Sequence, residues 1–206
     1  MTPAPVLASF GARIAWRALG GGEDRRTVAH ALLAALLAPG APGAVRITRQ
    51  CPSCGSSAHG APAAQLRDPR PADPAHPGGR AAPLVGIGYA PGLVAVAAAP
   101  AGARAFGIDL ELDDARTRAR VAEALGRSAG VCDWTRIEAV AKARRTGLRG
   151  DYAGVDVTPL PDGRWIAHAG RRRAAGQPGA AVLRGADLRI APAPGGPAAI
   201  LSLACE

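Results

Sequence analysis

Aromatic residues are scarce in this chain: three Trp, two Tyr and two Phe make up 3% of 206 residues. Proteins that grip single-stranded nucleic acid stack bases on aromatic side chains set among basic ones. No such interleaving occurs here, so no nucleic-acid partner is expected, although the net charge is +9. Lysine is scarcer still, since Lys142 is the single lysine among 25 Lys and Arg residues. Ala fills about a quarter of the chain, and Gly (27) and Pro (19) are also abundant, so part of this bias reads as codon drift in a GC-rich genome. The four cysteines, Cys51, Cys54, Cys132 and Cys205, are too few and too unevenly spaced for a disulfide framework. A reducing, cytoplasmic setting is therefore expected. Long apolar runs are missing too. The uncharged stretch from Ala81 to Ala103 is broken by Pro83, Pro91, Pro100 and several glycines, the mark of strands and turns and not of a membrane span. The first residues, MTPAPVLASFGARIAW, lack the basic, apolar and cleavage segments of a signal peptide.

What is present suits a folded protein: 48% hydrophobic and 20% charged residues can close a core. The excess of positive charge would attract polyanions, whether nucleic acid, an acidic protein or a phosphate-rich small molecule.

Apolar residues at helical spacing (Val28, Leu32, Leu33, Leu36, Leu37) predict a helix over Arg25 to Leu37, ended by Pro39-Gly40. A short strand is expected over Ala44 to Thr48, then the loop CPSCGSSAHGAP, then a surface loop from Ala61 to Ala82. Leu84 to Tyr89 and Leu93 to Ala99, split by Ala90-Pro91-Gly92, read as a hairpin, and Ala105 to Leu112 as the third strand of a meander. Asp114 to Leu125 has helical composition, and a further helix is expected from Trp134 to Arg145, ending at Gly147. Short β-prone runs follow at Val155 to Thr158, Arg164 to His168, Ala181 to Arg184, Asp187 to Ile190 and Ala198 to Ala204. The class expected is α+β, helices packed on antiparallel sheet.

Two segments carry chemistry. In GIDLE, Gly107 to Glu111, strand alternation sends Asp109 and Glu111 to one face and points Ile108 and Leu110 into the core. Two adjacent carboxylates repel unless a cation lies between them, and all-oxygen donors suit Mg²⁺. An acidic strand end in solvent is the plainer account. In WTRIEAVAKA, Trp134, Glu138 and Lys142 line one helical face at i, i+4 and i+8. Thr135 with Glu138 would form a capping box, and Glu138 with Lys142 an ion pair. The survival of a lone lysine argues instead for a compact ammonium that the planar guanidinium cannot replace.

GIDLE followed by WTRIEAVAKA resembles the paired signature of the 4′-phosphopantetheinyl transferases, G-[IV]-D-x-E and W-x-x-K-E-A-x-x-K. The loop CPSCGSSAHGAP is similar to the C-x-x-C-G and H-G-[KR]-P loop of actinobacterial members of the surfactin-synthetase-activating type, and LVGIGYAPGLVAVA resembles their S-L-S-H-x-x-G strand pair. The resemblance covers roughly residues 24 to 206. It implies a monomer of two pseudo-symmetric α+β halves, residues 1–104 and 105–206, each a small antiparallel sheet with a packed helix, with coenzyme A bound between them. It further implies that Asp109, Glu111 and Glu138 hold Mg²⁺. Glu138 would be the base for the serine hydroxyl of an acyl or peptidyl carrier protein, and Lys142 would neutralise or protonate the departing phosphate. Arg25, Arg26, His59, Gly60 and Tyr89 would lie on the coenzyme.

The chain departs from the pattern at Ala61, where members carry a basic residue, at Gly88 and Tyr89, where they carry Ser and His, and at Ile137, where they carry Lys. These departures leave a second expectation open: a diverged relative from a biosynthetic cluster, with an altered substrate or without transfer activity. Cys51 and Cys54 supply two zinc ligands, with His59 close by, but the second pair of a four-ligand structural site is missing. The expectation is a loop with a buried cysteine pair.

Overall fold

The computed structural model describes residues 6–7, 11–51, 54–66, 83–125, 129–146, 154–169, 181–192 and 196–206. Within them the chain is α+β, with three α-helices and three sheets. It divides into two compact units, Met1–Ile87 with Val94–Gly102, and Gly88–Leu93 with Ala103–Glu206.

The first unit contains β1 (Val6–Leu7), β2 (Ala12–Ala18), α1 (Arg25–Leu37), β3 (Val45–Gln50) and β4 (Ala61–Leu66). It also holds half of β5 (Val85–Ala90) and most of β6 (Leu93–Ala98). Its larger sheet runs β1-β2-β6-β5. β6 is an unbroken apolar run buried at all six positions, as expected of a central strand covered on both faces. α1 has the limits its periodicity predicts. The Asp24 carboxylate accepts the Thr27 N–H at 2.8 Å, a cap of about 1 kcal/mol, and Val28, Leu33 and Leu36 turn into the core. Arg13 of β2 donates from Nη1 to the Leu36 carbonyl at 3.0 Å, holding the helix end to the sheet. The expected loop at Ala61 begins instead with β4, paired to β3 from Gln50↔Ala61 to Val45↔Leu66. APAAQL has little β propensity of its own. Its pairing comes from the branched residues of β3, a case of context overriding propensity. Residues 67–82 of that expected loop lie outside the described residues.

The second unit contains β7 (Phe106–Leu112), α2 (Ala115–Leu125), α3 (Val131–Ala143), β8 (Val155–Pro159), β9 (Arg164–Ala169), β10 (Ala181–Ile190) and β11 (Ala199–Cys205). Its antiparallel sheet runs β7-β11-β10-β9-β8. The expected meander therefore stops at β6. That strand is bonded to β2 on one side and β5 on the other, which leaves no edge for β7, and β7 pairs with β11 from Phe106↔Cys205 to Leu112↔Ala199. Two short strands expected at 181–184 and 187–190 are one strand, β10. It runs through Gly185, over which the fully buried Trp165 indole lies so closely that a Cβ would overlap the ring.

α3 starts three residues before the expected Trp134, because the Asp133 carboxylate accepts the Gly130 N–H at 2.9 Å and closes the first turn. Thr135 is consequently inside the helix, and the capping box expected of it does not form. The helix ends at Ala143, followed by Arg145 at φ 57°; Gly147 lies outside the described residues. Ala139, Val140 and Ala143 of α3 pack with Trp165, Ala167 and Leu183 in the core of this unit. Among the described residues no helix is long and apolar enough to cross a membrane.

Candidate functional site

β7 is the edge strand of its sheet, and α3 packs against it and β11. Contact is close at Gly107, where a Cβ would overlap the Ala139 carbonyl oxygen and the Ala143 amide nitrogen of α3. Gly107, Asp109 and Glu111 alternate onto one face of β7, so the face that carries the carboxylates is the one α3 covers. The plain account of an acidic strand end in solvent fails accordingly: Asp109 is 7% exposed, while Ile108 and Leu110 of the opposite face are at 1% and 0%.

Lys142, on the last turn of α3, donates from Nζ to Asp109 Oδ1 at 2.6 Å. The two side chains form an ion pair between α3 and β7. The other oxygen, Asp109 Oδ2, is buried with no hydrogen-bond partner. Such an oxygen is costly in a folded protein unless a cation, water or ligand satisfies it. Glu111 is half-buried and pairs with Arg120 of α2 at 2.8 Å. Burial, reinforced by the negative charge of Asp109, pushes its carboxyl above the ordinary value; Arg120 and Lys142 oppose the shift. Glu138 is 5% exposed. It shares a helical face with Thr135 and Lys142 (i, i+3, i+7), and these two meet Ser202 of β11 and Asp109 of β7 respectively.

A second buried group, which the sequence reading missed, fixes α3. Asp187, Ser202 and Asp109 are successive neighbours across β10, β11 and β7. Asp187 Oδ2 accepts from Arg136 Nε at 2.9 Å and Nη2 at 2.6 Å. Its Oδ1 accepts from Trp165 Nε1 at 2.9 Å and Ser202 Oγ at 2.7 Å. Ser202 Oγ lies 2.8 Å from Thr135 Oγ1. Two consecutive residues of α3 are tied to the sheet by this row, which sets where Glu138 and Lys142 stand. The one sequence-level sign was a lone carboxylate between apolar residues, Ala186 and Leu188, in a β-prone run.

In the first unit, Arg25 and Arg26 are exposed at the start of α1, and Arg26 donates from Nη2 to the Ala58 carbonyl at 2.5 Å. His30, to which the sequence reading gave no role, has a buried Nε2 with no partner. Burial, then the charges of Arg49 and Arg26, hold its pKa below the ordinary value. The arginines Arg26 and Arg49 supply the positive charge around this ring. Gly60 has φ 109° and no room for a Cβ beside the Gln50 carbonyl. Tyr89, on β5, is half-buried.

The cysteine loop differs from expectation. Cys54 is exposed and Cys51 only half-buried, because the loop joins two strands of a small two-stranded sheet that has no core of its own. Cys54 Sγ lies 3.4 Å from His59 Nε2. Among the described residues, Cys51, Cys54 and His59 are the group of metal-capable side chains whose ligand atoms all lie within 4.8 Å of one another; the three carboxylates do not meet that condition. No protein-family model matches this chain, and no curated protein matches it significantly.

Proposed function

We propose that the chain transfers 4′-phosphopantetheine from coenzyme A to a serine of an acyl or peptidyl carrier protein in a Mg²⁺-dependent reaction. The observation that carries this reading is the meeting of Lys142 and Asp109, from two segments far apart in sequence, with the second Asp109 oxygen buried and unpartnered. A buried carboxylate oxygen of this kind is a suitable donor for a hard cation, which takes one or two carboxylates and completes its shell with water and phosphate. Asp109, Glu111 and Glu138 would hold the ion, directly or through water, and it would neutralise charge on the diphosphate. Glu138 takes the proton of the carrier serine. The serine oxygen then bonds to the β-phosphorus as the bond to the leaving phosphate breaks, and 3′,5′-ADP departs. Lys142 has three N–H donors, one of them directed at Asp109, so two remain for the leaving phosphate, where charge accumulates. Arg25, Arg26, His59, Gly60 and Tyr89 are assigned to the coenzyme, and Arg49 adds to the cationic surroundings that its phosphates require.

The test is the mass of an apo carrier incubated with the protein, coenzyme A and Mg²⁺. A gain of one phosphopantetheinyl group is expected. Glu138→Gln and Lys142→Ala each lower kcat by on the order of 10²–10³, and Lys142→Arg does not restore it, since a planar fork is not a point charge.

Gly88 favours the second reading, a diverged relative with altered substrate or lost transfer. A Cβ at Gly88 would stand 2.8 Å from Leu110 Cβ, so the serine of the family pattern does not fit without movement of β7. Calorimetry separates the two. Mg²⁺-dependent coenzyme A binding with carrier modification supports transfer, whereas no binding and no mass gain with several carriers overturns it.

A further inference from the structure

The loop between β3 and β4 brings together three soft or borderline donors: Cys51, Cys54 and His59. The transferase reading gives the two cysteines no role and the metal reading of the carboxylates does not reach them. From this juxtaposition we infer a zinc site with two sulfur ligands, one imidazole ligand and a fourth position left to water.

Geometry supports the choice of metal. For Zn–S bonds of about 2.3 Å and Zn–N of about 2.0–2.1 Å in a tetrahedron, ligand atoms lie about 3.8 Å apart for sulfur pairs and about 3.6 Å for sulfur and nitrogen. The Cys54 Sγ to His59 Nε2 separation is 3.4 Å, and all three ligand atoms fall within 4.8 Å of one another. Closing the site therefore needs side-chain adjustments of well under an ångström for the Cys54–His59 pair. Thiolate with imidazole selects zinc over magnesium, which prefers carboxylate and water oxygen.

The backbone around the donors is held. Cys51 N–H donates to the Ser56 carbonyl at 2.9 Å, and Gly55 N–H donates to the Cys51 carbonyl at 2.8 Å. Gly55 makes this turn at φ 70° and Gly60 closes the loop at φ 109°, both left-handed conformations that glycine adopts at little cost. The Ala58 N–H donates to Ser56 Oγ at 3.1 Å, and Arg26 of α1 reaches across to the Ala58 carbonyl. The strand register Gln50↔Ala61 fixes the two ends of the loop. Three ligands with a water in the fourth position make an open site, in contrast to the closed four-ligand sites that serve structure alone.

Binding converts the thiols of Cys51 and Cys54 to thiolates and His59 to a neutral ligand, so protons are released to solvent as the metal enters. No oxidant or reductant takes part. The inference shares no metal ligand with the carboxylate site and does not rest on phosphopantetheine transfer; His59, which that reading sets near the coenzyme, is the one residue in both, and the zinc content and cobalt spectrum below are read without coenzyme.

The experiment uses the full chain, purified without an affinity tag of histidines and without chelator. Elemental analysis is expected to give one zinc per chain. After removal of zinc, a Co²⁺ titration is expected to produce a sulfur-to-cobalt charge-transfer band and the intense visible bands of a tetrahedral site. Cys54→Ser and His59→Ala lose the zinc and alter or abolish these bands, while Cys132→Ser and Cys205→Ser, outside the loop, keep both. Far-ultraviolet circular dichroism of Cys54→Ser shows whether the exposed substitution leaves the fold intact, and Cys51→Ser provides an independent second loss. A reduced chain that retains no zinc and gives no sulfur-to-cobalt band overturns the inference. So does a Cys51–Cys54 disulfide in the freshly isolated protein without metal, or equal loss of metal in the Cys132 and Cys205 variants.

Discussion

Gly107 lies where β7 passes under α3, and alanine at this position adds one methyl group at the closest approach of the two elements. That methyl would overlap the Ala139 carbonyl oxygen and the Ala143 amide nitrogen and stand 3.0 Å from Ala143 Cα. All three are backbone atoms, which cannot swing aside as a flexible side-chain end would. With ordinary carbon contacts at about 3.5–4.0 Å, α3 must retreat from β7 by about 1 Å. The Thr135 to Ser202 hydroxyl contact of 2.8 Å, where both residues are fully buried, then stretches past bonding distance. Overpacking costs about 1–3 kcal/mol and the lost buried hydrogen bond about 1 kcal/mol. Replacing glycine stiffens the unfolded chain and returns up to about 1 kcal/mol. The expected result is a loss of about 1–4 kcal/mol, read from the midpoint of urea unfolding with the slope unchanged. Because Glu138 and Lys142 ride on the same helix, the proposed transfer activity is expected to fall with stability. Gly40→Ala, with open space around its Cβ, is the control and changes stability by less than about 0.5 kcal/mol. A Gly107→Ala protein as stable as its parent would refute the close packing of α3 on β7.

Asp187→Ala leaves Arg136, Trp165 Nε1 and Ser202 without their shared acceptor. Truncating one partner of a largely buried pair costs about 3–5 kcal/mol, and a double-mutant cycle with Arg136→Met returns a coupling energy that a pair of independent sites would not show. Glu111→Gln is read against pH. Burial and Asp109 raise the Glu111 pKa above the ordinary 4.5, so the folded state holds this proton more tightly than the unfolded one. The stability from neutral Glu111 is complete below 4.5 and is lost as pH rises through the folded value. Unfolding free energies of parent minus variant should fall with rising pH in that window. A difference that rises with pH contradicts the assignment.

Local pattern was enough for α1, whose apolar spacing and Asp24 cap mark both ends, and for the β5 and β6 runs around Pro91-Gly92. It was enough to put Asp109 and Glu111 on one face of a strand. It put Ile108 and Leu110 in the core, as found, but did not say that α3 would cover the opposite, carboxylate face as well, because alternation alone does not show a strand buried on both sides. Lys142 looked like the partner of Glu138, four residues away; its contact is with Asp109, at a separation of 33 residues. Asp187 and Arg136 are 51 residues apart, so neither announces the other. The spacing of Cys51, Cys54 and His59 was visible, whereas their exposure depended on a two-stranded sheet of which only one strand had been recognised.

The richness in alanine and glycine takes on another meaning at the same contact. Drift toward GC-rich codons supplies small residues everywhere, and the fold uses them where backbone meets backbone. Gly107 admits α3, and Ala139 and Ala143, 0% and 6% exposed, are the helix residues it meets. A larger side chain at Gly107 would hold the helix away from β7 and widen the gap that residue 142 must cross to reach Asp109. With the helix close, the gap favours a slim stem ending in a compact ammonium, which can approach one carboxylate oxygen and leave the other unengaged. A guanidinium presents paired donors to both oxygens of a carboxylate. Arginine at position 142 would therefore compete for Asp109 Oδ2, the buried oxygen on which the proposed cation site rests. The single lysine of the chain thus stands where a point charge and a planar fork differ, and if the proposed Mg²⁺ site is present, Lys142→Arg is expected to bind the ion more weakly than the parent in calorimetry even where its stability is unchanged.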